Sequence, residues 1–163
     1  LDPVEAWTPS RNHLRSPTHG PKHFLADPAL AARLVRRSAT QLLVGQGPDT
    51  LVPRDGGFLG GLFEALAYLS IRTFAQRADA RVHHLRTKGG RHEVDFIVDG
   101  PDGVLGIEVK LAGAVDDDDV RHLIWLRDQI GDDCVDLMVV HTGPDAYRRP
   151  DGVAVVPLAL LGP

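Results

Sequence analysis

Cysteine is almost absent from this chain: among 163 residues Cys134 stands alone, so no disulfide can form within the chain. No apolar run approaches the roughly 18–20 residues that span a bilayer, and no signal-peptide pattern is present. We therefore expect no membrane partner and a cytoplasmic location. The phosphate-binding pattern G-x-x-x-x-G-K-[ST] is missing as well, which predicts that this chain has no ATP site of that kind.

What the chain does contain is typical of one globular domain. Apolar residues make up 43% and charged residues 25% of the sequence, close to the average for such domains. The length is sufficient for one hydrophobic core. Because the first residue is Leu1 rather than Met, we expect the chain to be part of a longer protein.

Charge is divided unevenly along the sequence. Residues 1–92 contain 13 Lys and Arg against 7 Asp and Glu, whereas residues 93–163 contain 5 against 15. Guanidinium groups match phosphate oxygens in shape and charge, so the arginine-rich first half could contact nucleic acid. Charge alone favours the alternative, an ordinary solvated surface. The candidate nucleic-acid-binding residues, which would form a basic rim, are Arg86, Lys88, Arg91 and Arg121.

Apolar periodicity and turn residues predict alternating helices and strands. Asp27 followed by Pro28 predicts the start of a short helix, and residues 45–57 have the glycine and proline content of a loop. The segment from Gly56 to Ile71 is apolar nearly all round, which predicts a buried helix. A tight turn at Gly89-Gly90 should join two strands. The other predicted elements are strands at Lys22–Ala26, Arg81–Thr87, Glu93–Val98, Val104–Lys110, Cys134–His141 and Val153–Val156, and a helix over Asp117–Ile130 begun by an acidic run.

Two carboxylates and a lysine are predicted to meet on one face of a β-hairpin. Side chains alternate along a strand, so Asp95 shares a face with Ile97, and Glu108 shares one with Lys110. If the two strands pair, Asp95 and Glu108 repel each other unless a cation lies between them. Oxygen ligands suit Mg²⁺ or Mn²⁺, and a lysine can stabilise a phosphate oxygen, so the arrangement has the parts for metal-assisted phosphodiester hydrolysis. Spacing alone favours the alternative, an ordinary cross-strand ion pair.

Glu64 is the only charged residue between Gly56 and Ile71. A carboxylate on a buried helix is costly unless it is paired or bound to a cation. Glu64 therefore either lies on the one exposed stripe of its helix or faces a positive charge.

The sequence resembles the PD-(D/E)XK nuclease superfamily in Asp95, in the Glu108-Val109-Lys110 triplet and in the preceding helical Glu64. The order of predicted elements is similar to its restriction-endonuclease-like core. That core is an α/β fold with a central mixed β-sheet flanked by helices. Val94 stands where the superfamily name has a proline, at a position that varies within the superfamily.

A narrower resemblance is to the domain of unknown function that ends many bacterial and archaeal AAA-type ATPases. The stretches that carry it are Pro21–Leu30, Gly61–Glu64, Arg86–Val98 and Gly106–Lys110. In that family an ATPase module and a winged-helix segment lie upstream. The resemblance therefore implies that residues 1–20 are the remnant of a winged-helix-like segment and residues 21–163 the nuclease-like domain, with the upstream ATPase module as a partner.

Carried over residue by residue, the superfamily pattern implies that Asp95 and Glu108 are metal ligands, with the Val109 carbonyl as a third. Lys110 would orient or activate the attacking water and stabilise the phosphate, and Glu64 would support the site or a second metal. The implied cofactor is Mg²⁺ or Mn²⁺, and the implied substrate is nucleic acid, in particular DNA. Superfamily members also serve in binding or regulation, so the alternative is a non-catalytic nucleic-acid-binding, regulatory or protein-docking domain of that ATPase.

Overall fold

The structure, a computed structural model, describes residues 2–8, 20–36, 38, 40, 42 and 56–162. Across these residues the chain forms eight strands and three helices. In chain order they are β1 (Asp2–Val4), β2 (Lys22–Phe24), α1 (Pro28–Leu34), α2 (Gly56–Arg77), β3 (Arg81–Arg86), β4 (Glu93–Gly100), β5 (Gly103–Lys110), α3 (Asp117–Ile130), β6 (Cys134–His141), β7 (Tyr147–Arg148) and β8 (Ala154–Pro157).

Six strands form one mixed sheet in the spatial order β3-β4-β5-β6-β8-β7. β3, β4 and β5 pair as an antiparallel meander, and β7 pairs antiparallel with β8. β6 runs parallel to both β5 and β8, and α3 makes the crossover that parallel neighbours require. The predicted α/β class, with a central mixed sheet flanked by helices, is therefore confirmed.

Helices cover both faces of this sheet and create two hydrophobic cores. On one face, α3 buries Leu123 and Leu126 against the strands. On the other face, the Tyr68 ring of α2 stacks between Phe24 and Phe96, with ring centroids 5.0 and 5.7 Å apart. The end of β5 thus lies between two packed helical layers, which hold its side chains in fixed positions.

The two N-terminal strands extend the α2 side of the fold. β1 pairs antiparallel with β2, and the chain after β1 continues along the edge of β3. There Trp7 donates its backbone N–H to the His84 carbonyl oxygen at 2.7 Å. Residues 2–8 therefore pack onto the same domain. The winged-helix-like assignment of residues 1–20 stays a prediction, and residues 9–19 lie outside the described part of the chain.

Capping residues explain where two helices begin. The Asp27 carboxylate accepts the Ala29 backbone N–H at 2.8 Å, with Pro28 in the first turn, as predicted. Before α3, Asp116 and Asp119 form a reciprocal capping box. This box fixes the start of α3 a few residues after the end of β5, next to the candidate site.

Most predicted element ends lie within a few residues of the observed ones. β6 matches the predicted Cys134–His141 and α3 matches Asp117–Ile130. Of the predicted loop over residues 45–57, positions 45–55 lie outside the described residues and the last two belong to α2. β7 has no counterpart in the sequence prediction, because a strand of two residues is too short to show a period.

The connection between β3 and β4 is longer than the predicted tight turn. It spans residues 87–92. Thr87 closes it through hydrogen bonds with His92, one of which joins the Thr87 N–H to the His92 carbonyl at 2.9 Å. Gly89 and Gly90 have φ values of 79° and 67°, which glycine adopts without the steric cost that a side chain brings.

α2 is buried on one side only, in contrast to the predicted burial all round. Tyr68 is 4% exposed, whereas Leu66 on the other side is 46% exposed. By length and composition alone, Gly57–Arg77 is long and apolar enough to cross a bilayer, so the expectation from apolar run length was wrong for this helix. In the fold, Arg72 of α2 forms an ion pair with Asp2 of β1, and the helix packs on the sheet.

A β-bulge in β4 breaks the predicted alternation at Asp95. The register between β3 and β4 shifts by one residue at this point, because β4 has an extra residue. Val94 consequently packs in the core beside α3 and Phe96 in the core beside α2. The prediction that Asp95 shares a face with Ile97 is therefore wrong. Ile97 packs beside α3, whereas the bulge turns Asp95 towards β2 and α2.

Candidate active site

A cleft of about 430 Å³ opens where β4 and β5 separate. The last paired residues on this side are Phe96 and Ile107. Beyond them, Val109 of β5 donates its backbone N–H to Asp95 Oδ2 at 2.9 Å, so a side chain of β4 takes the place of a backbone carbonyl. The strand ends therefore leave room for side chains between them. The four predicted catalytic residues all line the cleft: Glu64, Asp95, Glu108 and Lys110.

Glu108 is the most deeply buried carboxylate of the cleft, with 6% of its side chain exposed. Burial, and then the neighbouring Asp95 carboxylate, raises the pKa of Glu108 to about 9, although the Lys110 ammonium opposes the rise. In the protein alone, Glu108 therefore carries a proton at neutral pH. A further positive charge in the cleft would favour its ionised form.

Lys110 connects the end of β5 to α3. Its Nζ lies 3.3 Å from Glu108 Oε2 and 3.8 Å from Asp119 Oδ1, and 33% of the side chain is exposed. Burial by itself would lower the pKa of Lys110, but Glu108, Asp95 and Asp119 raise it above its ordinary value. Lys110 is therefore a charged donor that can reach the cleft.

Glu64 faces a positive charge, so the structure decides between the two alternatives for this residue. The Lys22 Nζ of β2 lies 3.3 Å from Glu64 Oε1, 3.3 Å from Glu93 Oε1 and 3.4 Å from Asp95 Oδ1. Burial and the Asp95 carboxylate raise the pKa of Glu64, and Lys22 limits the rise. One ammonium group thus neutralises part of a cluster of three carboxylates.

Histidine and tryptophan rings form the α3 side of the site. His122 lines the cleft, and its Nδ1 lies 3.4 Å from Nδ1 of His92. The His92 ring stacks on Trp125 at 4.0 Å with 8° between the planes. Burial, with the nearby Arg121, lowers the pKa of His122. This stack attaches the β3–β4 loop to α3 beside the cleft.

The predicted nucleic-acid-binding residues lie outside the cleft. Arg86 is 51% exposed, with its Nε 3.7 Å from Glu93 Oε2. Arg121 on α3 is 63% exposed and pairs with a carboxylate one turn earlier. Lys88 and Arg91 are exposed in the β3–β4 loop. All four side chains are accessible to a ligand, and their role in binding stays a prediction.

Three charged residues near the site have no role in the sequence prediction: Lys22, Glu93 and Asp119. Lys22 is 73 residues from Asp95 along the chain, and no periodicity links positions so far apart. The acidic run that contains Asp119 predicts a helix start, and Asp119 does cap α3. Its second contact, with Lys110, depends on the angle at which α3 crosses the end of β5.

The cleft has the donor chemistry for a divalent cation, although a preformed cage is lacking. Within the described residues, no group of three or more His, Cys, Asp or Glu side chains is arranged to hold a metal ion. The ligands that the resemblance implies are the carboxylates of Asp95 and Glu108 and the Val109 carbonyl, all of them oxygen atoms, as Mg²⁺ and Mn²⁺ prefer, and all three residues line the cleft. Because Mg²⁺ usually keeps several waters and takes one or two carboxylates, this donor set fits.

Fold and cleft together define an α/β domain that presents two carboxylates and a lysine where two strands of a mixed sheet separate. Residues 59–161 match the model of a family described as a domain of unknown function, DUF4143. The match covers more than half of the chain. The chain therefore belongs to the DUF4143 family.

Known proteins add only a distant likeness. No curated protein matches the chain. The chain is similar to a solved structure, the crystal structure of protein VC1899 from Vibrio cholerae, at 21% sequence identity and with a TM-score of 0.42. The similarity covers 66% of this chain and 31% of that one, so this chain spans less than a third of that protein.

Proposed function

We propose that this domain is a Mg²⁺- or Mn²⁺-dependent nuclease that hydrolyses phosphodiester bonds of nucleic acid, with DNA as the substrate. The observation that carries the proposal is the meeting of Asp95, Glu108 and Lys110 in one open cleft. An ordinary ion pair would match one carboxylate with one lysine. Here the cleft has more carboxyl groups than lysines, and this surplus favours a bound cation. The carboxyl groups are those of Glu64, Glu93, Asp95 and Glu108, and the lysines are Lys22 and Lys110.

Each residue has a proposed part in the reaction. Asp95, Glu108 and the Val109 carbonyl would hold the cation, which when bound polarises a phosphate and lowers the pKa of a water molecule. Lys110 keeps its proton because its pKa is raised, so it serves as a donor to a phosphate oxygen or to the attacking water. Glu64 supports the site by fixing the charge around Asp95.

The shape of the cleft supports a polymeric phosphate ester. Gly57, Gly60 and Gly61 of α2 line the wall. A Cβ built on Gly60 or Gly61 would meet nothing within 4 Å, so this wall leaves space for a nucleic-acid backbone to approach. The basic residues in the β3–β4 loop and on α3 lie beyond the cleft, where they would contact phosphates further along the strand.

The proposal extends to the parent protein. We infer an upstream ATPase module and a bacterial, cytoplasmic setting. The support is the resemblance of Arg86–Val98 and Gly106–Lys110 to the domain that ends AAA-type ATPases. In that setting the ATPase would bring nucleic acid to the cleft.

A cleavage assay tests the nuclease. Supercoiled plasmid, single-stranded DNA and RNA are incubated with the wild type, Glu108→Gln and Lys110→Ala, in Mg²⁺, in Mn²⁺ and in chelator. We expect metal-dependent cleavage of DNA by the wild type. Each substitution should lower the rate by about 100-fold or more. Glu108→Gln removes the charge of a proposed metal ligand, and Lys110→Ala removes a donor to the charge that develops in the transition state.

Asp128→Asn is the matched control, since Asp128 is an exposed carboxylate on α3. It should cleave like the wild type. Cleavage that persists in chelator, or that the Glu108 and Lys110 variants retain in full, would contradict the proposal and indicate a contaminating enzyme.

A second candidate function is a non-catalytic nucleic-acid-binding or docking domain of the ATPase. It is favoured by one observation: the Lys22 ammonium already neutralises part of the carboxylate cluster without a metal. In the same assay this candidate gives no cleavage by the wild type. Salt-dependent DNA binding that survives Glu108→Gln would then identify a binding domain. If the wild type does not bind DNA at all, the result would identify a docking domain.

A further inference from the structure

The acidic side of the cleft already contains one positive charge, the Lys22 ammonium. Its Nζ lies within 3.4 Å of Glu64, Glu93 and Asp95 oxygens, and 24% of the side chain is exposed. The position of β2 fixes this contact, because Phe24 two residues later is locked in the aromatic stack of the α2-side core. Lys22 therefore reaches the carboxylates from a rigid strand.

The two oxygens of Asp95 have different partners. Oδ2 accepts the Val109 N–H at 2.9 Å, and Oδ1 faces Lys22 Nζ at 3.4 Å. Oδ1 is thus the Asp95 oxygen that a divalent cation would use, and Lys22 already contacts it. Two cations on one carboxylate oxygen repel each other strongly when they are partly shielded from water.

We propose that Lys22 is an internal counter-ion that competes with the divalent cation for Asp95 Oδ1, so that the cation binds only as the ammonium withdraws. This inference rests on the proposed function, because it assumes that Asp95 binds the metal. Lys22 is in this respect a positioning residue: it sets the affinity of the cleft for metal and does not act on the substrate.

Lys22 has other carboxylates to contact when Asp95 binds a metal. Glu64 Oε1 and Glu93 Oε1 each lie 3.3 Å from its Nζ. The four-carbon stem is flexible, which allows the ammonium to shift towards Glu64 and Glu93 when Asp95 turns to a metal.

Calorimetric titration with Mn²⁺ tests the competition directly. We expect Lys22→Met, which keeps the length of the stem and removes the charge, to bind Mn²⁺ at least about fivefold more tightly than the wild type, a coupling of the size found between linked sites. Lys22→Arg, which keeps the charge, should bind like the wild type. Arg77→Gln removes one positive charge from an exposed position at the end of α2. It is the matched control, and its affinity for Mn²⁺ should equal that of the wild type.

Thermal unfolding gives a second readout that needs no activity. In chelator, Lys22→Met should melt at a lower temperature than the wild type, because three carboxylates then lack their counter-ion. Mn²⁺ should raise its melting temperature more than that of the wild type. If Lys22→Met does not fold, Lys22→Gln is measured in the same way with the same expectations.

The outcomes separate the inference from the function on which it rests. If the wild type binds Mn²⁺ and the uncharged variant binds it equally or more weakly, the competition is refuted and the metal site stands. If only the uncharged variant binds Mn²⁺, the competition is supported and metal-dependent cleavage by the wild type is contradicted. If neither protein binds Mn²⁺, the proposed metal site is refuted, and the inference with it.

Discussion

The charge states of single residues in the cleft depend on the burial of like charges close together. The Asp95 and Glu108 side chains come together with 18% and 6% of their surface exposed, and among the described residues Lys110 and Lys22 offset them. In the protein alone, two features reduce this repulsion: Glu108 holds a proton, and the Lys22 ammonium contacts Asp95. Both solutions are reversible, which is what a site that takes up a cation requires.

Glu108→Gln should change how stability depends on pH, measured in chelator. The pKa of Glu108 is about 9 in the folded protein against an ordinary value of 4.5, so between these values the folded state holds a proton that the unfolded state has released. The stabilisation is fully present below the lower pKa and is lost as pH rises through the higher one. Glutamine cannot titrate and lacks this dependence.

Urea unfolding of both proteins at several pH values checks this prediction. The difference in free energy of unfolding, wild type minus variant, should fall steadily from about pH 5 to about pH 9. Parallel curves for the two proteins would show that the pKa of Glu108 is not raised in the folded state.

At the scale of elements, the cleft depends on how closely α3 approaches β5. Gly106 of β5 faces the helix, and a Cβ at this position would lie 2.8 Å from Leu126 Cδ2 and 3.1 Å from Leu137 Cδ2. The absence of a side chain at Gly106 therefore lets α3 pack directly on the strand. The same approach brings Asp119 of α3 within reach of Lys110.

Gly106→Ala should destabilise the domain by about 1–3 kcal/mol, since the added methyl group overpacks the interface between α3 and β5. Urea unfolding measures the loss. Gly113→Ala is the matched control, because a Cβ there meets nothing within 4 Å, and we expect it to change the free energy of unfolding by less than about 0.5 kcal/mol. Equal values for the two variants would show that the packing of α3 is looser than the structure indicates.

Elements also show where periodicity is a sufficient guide and where it is misleading. α3 has a strong helical period and a local cap, and β6 has a continuous apolar run, and both begin and end where the sequence predicts. β4 has a regular pattern too, but the bulge at Asp95 comes from its pairing with β3, which periodicity within one strand does not encode. The apolar composition of α2 likewise predicts burial, while the side that is covered depends on which elements pack on it.

At the scale of the whole molecule, the net charge of −4 conceals two regions of opposite character. The cleft is rich in carboxylates, whereas the β3–β4 loop presents exposed cations. A nucleic acid would be attracted to the loop and repelled by the cleft until a cation binds there. Metal uptake and nucleic-acid binding should therefore assist each other.

Lys88→Gln and Arg91→Gln should each weaken DNA binding and reduce its salt dependence. Neutralising one phosphate contributes about −0.9 to the slope of log K against log salt concentration for duplex DNA, so each substitution should reduce the slope by about one. Fluorescence anisotropy with a labelled duplex in chelator, at several salt concentrations, measures this. Arg77→Gln again serves as the control, and an unchanged slope in the two loop variants would exclude the loop from the interface.

The sequence by itself determined what is local. Strand and helix periods, the Asp27 and Asp116 caps and the α/β class follow from short-range preferences. These features depend on residues a few positions apart, where backbone geometry fixes the spacing. The choice of Asp95, Glu108 and Lys110 as the candidate site rests on a predicted strand pairing and on a family resemblance, and their role stays a prediction.

Only the tertiary structure decided how the charges of the residues in the cleft offset one another. The bulge that turns Asp95, the burial that raises the pKa of Glu108 and the arrival of Lys22 from a strand 73 residues earlier all arise from contacts between distant segments. Electrostatic energy depends on distance in space and on exclusion of water rather than on position in the chain. The balance of charge in the cleft therefore becomes visible only when the sheet and its two helical layers are assembled.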